Sequence, residues 1–175
     1  MTALTARRAL EATVATPADI PFDAILAGQT PMLFKGLVRD WPLVSKGLES
    51  SQAARDYIRT HDQGGRVVGY SAGPEIRGRF FYDETCAAVN FKAERAPLEV
   101  FLERLEAVED LNDAPAVYVG SADLDGYFPS LKAENDLGLG PEVYGDQPPM
   151  AGVWIGNRTT AAAHWDMSNN IAVCA

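Results

Sequence analysis

The sequence predicts an α+β chain whose last third is mainly strand, on three observations. Helical patterns cluster early, strand patterns accumulate toward the end, and no regular strand–helix alternation appears that would build a doubly wound sheet. At 175 residues the chain fits one domain, 1–175, and can bury a real core. Its 47% hydrophobic and 22% charged content is ordinary for a globular protein.

Residues 5–14 read as a short helix, ended by Pro17 and Pro21, and 22–26 as one further helical turn. Residues 1–30 thus form a helical lead-in. The apolar run 31–38 follows a proline and reads as a strand, broken at Gly36. Asp40-Trp41-Pro42-Leu43 reads as a turn with an aromatic anchor. From Ser50 or Ser51, an N-cap type, a helix carries Ala53, Ala54, Tyr57 and Ile58 until Gly64-Gly65 stops it. Residues 66–70 and 79–82 read as strands joined by the Gly- and Pro-bearing segment 71–78 in a hairpin-like loop.

The clearest helix begins near Pro97. Leu98, Phe101, Leu102 and Leu105 fall at i, i+3, i+4 and i+7, one apolar stripe, with Glu99, Glu103, Arg104 and Glu106 off it. Residues 116–120 are a strand by composition. The Gly-, Pro- and Asp-rich stretch 123–149 reads as a long loop or lid. Residues 152–156 and 170–174 are the last strand candidates, the final one cut off in mid-course at Ala175.

The net charge of −9 and pI of about 4.6 argue against a broad grip on nucleic acid, which needs clustered Lys and Arg. Cys86 and Cys174 form no metal or redox spacing and read as two buried thiols in a reducing compartment. Arg7 and Arg8 precede no apolar run, so no signal peptide is expected, and no stretch has the length of a membrane span. A cytoplasmic location follows by default. Asp123, Asp125, Glu134 and Asp136 lack calcium-loop spacing and read as a solvated acidic surface.

His164-Trp165-Asp166 carries the chemistry. Residues i and i+2 of a strand point to one face, so His164 and Asp166 can hold one metal ion while Trp165 faces away. They form two thirds of the two-histidine, one-carboxylate triad that leaves sites open on non-haem Fe(II). The only other histidine, His61, reads as a surface or helix-end residue. Trp41 and Trp154 read as core anchors.

The string from Val153-Trp154-Ile155-Gly156 through Thr159-Thr160 to His164-Trp165-Asp166, with Asn170 six residues after the histidine, resembles the first metal-binding segment of the cupin-like JmjC hydroxylases. That group includes the asparaginyl hydroxylase acting on hypoxia-inducible factor. Thr30 to Pro42 resembles the family's N-terminal signature, with its Gly36-Leu37 step and Trp41-Pro42. Leu98-Glu99-Val100-Phe101-Leu102 looks like its helix before the barrel, and Ala116-Val117-Tyr118-Val119 like its cosubstrate strand.

The resemblance implies a double-stranded β-helix spanning 31–175, incomplete at the C-terminus, in an Fe(II)- and 2-oxoglutarate-dependent oxygenase. His164, Asp166 and a later histidine would hold Fe(II). Tyr118, Thr160 and Asn170 would line the 2-oxoglutarate pocket. The family's threonine stands three before the histidine, here Ala161, so Thr160 serves if the turn is one residue shorter. No further catalytic residue is assigned.

The distal histidine and the basic residue that anchors the cosubstrate do not occur after Asp166. The chain is therefore expected to be the N-terminal portion of a longer hydroxylase and inactive, or nearly so, alone. Rival readings are a non-catalytic cupin-like binding module and a cupin metalloenzyme of another type, such as an isomerase. The expected substrate is a protein side chain or a small molecule, with no membrane partner; self-association stays open.

Overall fold

The computed structural model describes residues 9–147, 149–164 and 166–175. Its centre is an antiparallel four-stranded sheet in the order β5-β3-β6-β7, built from β3 (Arg66–Ala72), β5 (Lys92–Pro97), β6 (Ala116–Asp123) and β7 (Gly152–Gly156). Two small parallel pairs flank it. One joins β1 (Leu10–Ala12) to β2 (Met32–Phe34), the other β4 (Arg79–Phe80) to β8 (Thr160–Ala161).

The helix from the Leu98 stripe, α4 (Leu98–Val108), packs across one face of this sheet. Leu98, Phe101 and Leu102 are fully buried, and Leu105 nearly so. Strand alternation brings Val67, Gly69, Val117 and Val119 to that face. Gly69 is required there: a Cβ at this position would overlap the Phe101 ring. β7 adds Val153 and Ile155, and a register shift between Val119 and Ala122 returns Ala122 to the same core. Ser121, in the shift, has φ of 48°.

α3 (Ser51–His61) closes the core with Ile58. The Ser50 hydroxyl caps it by accepting from the Ala53 N–H at 3.0 Å. Its charged face ties to α4. The buried Arg55 donates to Glu109 at 2.6 Å, and Arg59 reaches Asp56, Glu99 and Glu106.

Several expectations fail for identifiable reasons. Within 5–14 the described part is strand, not helix: Leu10–Ala12 pairs with Met32–Phe34; residues 1–8 lie outside the described set. Trp41-Pro42 is no mere turn. After α1 (Phe22–Gly28), Pro42 opens α2 (Pro42–Glu49), where its fixed φ and missing N–H suit the first helical position. The 66–82 hairpin does not exist. β3 pairs with β5 and β6, and Pro74–Ile76 is a single 3-10 turn leading away. β5 escapes a composition reading because Lys92, Glu94 and Arg95 interrupt it, yet its Glu94 binds Arg104 of α4.

The 123–149 loop contains α5 (Leu124–Tyr127), α6 (Pro129–Glu134) and α7 (Pro141–Tyr144). Asp123 caps α5, while Pro129 and Pro141 open the other two, so prolines that suggested irregular chain are helix starts. Phe128 and Leu131 from this stretch enter the core. Residues 170–174 form no strand. Cys86 and Cys174 are exposed rather than buried. Trp154 is 56% exposed because it lies opposite in phase to the core-facing Val153 and Ile155. No helix among the described residues is long and apolar enough to cross a membrane.

Gly69→Ala should destabilise the fold by about 1–3 kcal/mol, since the added methyl strains a ring with no free space. Urea unfolding measures this, and Phe101→Leu in the same chain should restore part of the loss. A second expectation concerns acid. Arg55 holds Glu109, and Arg104 holds Glu94, below their ordinary value of 4.5. Lowered carboxylates stabilise the fold above that value, and the contribution disappears as pH falls through the depressed ones. Thermal unfolding from pH 7 to 3 should therefore drop most steeply below about pH 4.5, and Glu109→Gln should lower stability at pH 7 while shallowing the acid slope.

Candidate metal centre

The chain leaves β7 at Gly156 and is tied at once to β6. The Asn157 side chain accepts from the Val117 N–H at 2.8 Å and donates to the Pro115 carbonyl at 2.9 Å. β8 then runs beside β4, with the Thr160 N–H donating to the Gly78 carbonyl at 2.8 Å. Past Ala161 the backbone is irregular, so His164 and Asp166 do not sit on a strand as their spacing suggested. They nevertheless face each other: His164 Nε2 lies 3.8 Å from Asp166 Oδ1.

Each side chain is held by a second contact. His164 Nδ1 is 2.8 Å from the Ala162 carbonyl. A carbonyl only accepts, so Nδ1 carries a proton, and in the neutral imidazole Nε2 is the nitrogen with the lone pair. Asn170 donates its amide to Asp166 Oδ2, which leaves Oδ1 turned toward the imidazole. One imidazole nitrogen and one carboxylate oxygen thus face each other with no hydrogen-bond partner among the described residues, while their neighbouring atoms are tethered, as supporting contacts orient metal ligands.

The donor set suits a divalent metal at an open site. Two cis donors on an octahedral ion with bonds of about 2.1 Å stand about 3 Å apart, which a small rotation of these exposed side chains reaches from 3.8 Å. They line an open recess of about 850 Å³ with Pro31 and residues 167–170. No group of three His, Cys, Asp or Glu able to hold a metal occurs among the described residues.

The other expected site residues are placed differently. Asn170 is in the recess, bonded to Asp166. Thr160 is exposed on β8 and does not line it. Tyr118 is half-buried on β6, on the sheet face opposite α4, and is not in the recess either. Burial, with Tyr70 nearby, pushes its phenol above the ordinary value. Trp165 falls outside the described residues.

His61 is not a surface residue. It is buried at the end of α3, where Nδ1 shares a hydrogen bond of 2.7 Å with the Ser130 hydroxyl and Nε2 lies 3.6 Å from Glu134. This anchors α3 to α6, away from His164. Two of the acidic residues of the 123–136 stretch have structural partners: Glu134 accepts from Tyr57 at 2.6 Å, and Asp125 pairs with Lys132 at 2.7 Å.

What the sequence reading missed is the aromatic group around Tyr118. Tyr70 stacks on it at 6.3 Å, Phe80 lies 5.8 Å away, and Phe91 packs edge-on against both Tyr70 and Phe80 at 5.3 Å. Alternation along 66–72 places Tyr70 in phase with Val68 and away from the core. Only the strand register reveals its partner.

A family model described as a cupin-like domain matches residues 17–175, and the chain belongs to that family. The helices and antiparallel sheet accord with a cupin-like domain, although the described strands do not form a closed barrel. No curated protein matches the chain significantly.

The neutral His164 should be the Nδ1–H tautomer in imidazole ¹⁵N spectra, and Zn²⁺, as a diamagnetic probe, should shift Nε2 first. A dominant Nε2–H form would contradict the geometry.

Proposed function

We propose that this chain provides part of an Fe(II)- and 2-oxoglutarate-dependent hydroxylase site of the JmjC type. The observation that carries the reading is the facing pair His164 Nε2 and Asp166 Oδ1, each tethered on its other atom, in a member of the cupin-like family. Bound Fe(II) with 2-oxoglutarate would supply O₂ activation for hydroxylating a substrate C–H bond.

The chain's own residues have defined tasks in this reading. His164 presents Nε2 because the Ala162 carbonyl occupies the proton on Nδ1. Asp166 contributes one negative charge, which lowers the net charge of a bound dication while Asn170 restrains the carboxylate's rotation. Tyr118 lies on the sheet face that alternation leaves free of α4 and offers an O–H to a carboxylate. The exposed position of Thr160 makes its role depend on β8 turning toward the same ligand. A protein side chain or a small molecule remains the substrate class, since the net charge of −9 works against a polyanionic nucleic acid.

Two donors hold a first-row dication weakly, and a metal with only two protein ligands is poorly fixed relative to its substrate. The chain should therefore bind Co²⁺, a spectroscopic substitute for Fe(II), with modest affinity and produce little succinate from 2-oxoglutarate. His164→Ala or Asp166→Ala should remove the Co²⁺ absorption bands. Bands that persist in both variants would place the metal elsewhere, and rapid succinate formation by the unmodified chain would show that two protein ligands suffice.

A further inference from the structure

We infer that Ser130 is a nucleophile toward activated acyl esters, with His61 as its general base and Glu134 as the carboxylate that orients the base. The three side chains meet at the junction of α3 and α6, away from His164, and the reaction needs no metal.

The contacts follow the order nucleophile, base, orienting carboxylate. The Ser130 hydroxyl is 2.7 Å from His61 Nδ1, and His61 Nε2 is 3.6 Å from Glu134 Oε2. Ser130 and Glu134 stand four residues apart on α6, so both reach one imidazole. Neighbouring groups hold the arrangement. Tyr57 donates to Glu134 at 2.6 Å, and its ring meets the imidazole edge-on with 4.6 Å between centroids. Asn135 donates to the Tyr57 hydroxyl at 3.0 Å and accepts from the Leu43 N–H at 2.9 Å, which carries the network to α2.

These contacts fix where the protons are. An ionised carboxylate only accepts, so the neutral imidazole turns its N–H, on Nε2, toward Glu134. Nδ1 then has the lone pair, and Ser130 donates its O–H to it. In that state a hydroxyl can lose its proton as it attacks. The imidazolium formed by the transfer is stabilised as well. Glu134 faces it, and His61 is the last residue of α3, where the helix's carbonyl ends favour a cation. A helix-to-helix anchor would work equally well with its hydroxyl covered. Here the base is 7% exposed, while the serine is open to a reagent at the surface.

In the reaction, Ser130 Oγ adds to the acyl carbon as its proton passes to His61 Nδ1. The adduct collapses by breaking the bond to the leaving oxygen, which takes that proton from His61, and the acyl group stays as an ester on Ser130. Water, deprotonated by the same imidazole, then cleaves the ester, releasing the acid and restoring the hydroxyl. Nothing is oxidised or reduced. A nucleophile at the surface suits acyl groups with a good leaving group, such as aryl esters, which need the least stabilisation of the developing oxyanion.

The test treats the whole 175-residue chain with p-nitrophenyl acetate and, separately, with a fluorophosphonate, and maps the modified residues by peptide mass spectrometry. Ser130 should carry the adduct well ahead of Ser51, an exposed serine that faces Glu109 instead of a histidine. With the fluorophosphonate, His61→Gln should slow labelling of Ser130 at least about a hundredfold, as loss of a general base does. Glu134→Gln removes the charge that keeps the proton on Nε2. It should lower the maximal labelling rate at least about tenfold and leave the half-saturating probe concentration unchanged, a split that a merely structural contact would not produce. Equal labelling of Ser130 and Ser51 overturns the proposal, as does acetylation confined to lysines. So does a folded His61→Gln chain that labels at the unmodified rate. The map of the unmodified chain decides even if the variants fail to fold.

Discussion

The contact between α4 and Gly69 organises the rest of the molecule. Phe101 reaches the floor of the sheet only because position 69 has no side chain, and that depth lets Leu98, Leu102 and Leu105 bury along the same stripe. Once α4 owns one face, strand alternation decides the other. Val67, Val117, Val119, Val153 and Ile155 turn toward the helix; Tyr70, Tyr118 and Trp154 must turn away. The orientation of these aromatic side chains is thus fixed by a packing decision made on the other side of the sheet.

That division also explains how β7 serves two ends. Its inward residues complete the core, and its last residue, Gly156, leaves room for the Tyr118 ring. Asn157 then satisfies backbone groups of residues 115 and 117, so the chain departs toward β8 and His164 from a defined point. The His164–Asp166 pair stands only a few residues beyond this anchor, but off any strand. Its order comes from local contacts with Ala162 and Asn170 rather than from the sheet.

The parts legible in the sequence were those with a strong local signal. The 98–105 stripe, the Ser50 cap and the apolar strands at 116 and 152 each declare themselves within a few residues. The failures share a cause. Pro42, Pro129 and Pro141 look like breakers in a linear scan, yet each occupies a helix start, where proline costs nothing. β5 is polar because half its side chains meet solvent or Arg104, and it becomes a strand only through pairing with β3. Tyr70 illustrates the same limit for function. Nothing within 66–72 names Tyr118 as its neighbour, because register is a long-range property settled by the α4 face.

The electrostatics of the chain bear on what such a site must contain. A net charge of −9 disfavours approach of a dicarboxylate, but beyond about 8 Å physiological salt screens most of that field. Binding then depends on donors at contact distance. Four of the chain's cations, Arg55, Arg59, Arg104 and Lys132, are already engaged by carboxylates and hold helices and strands together.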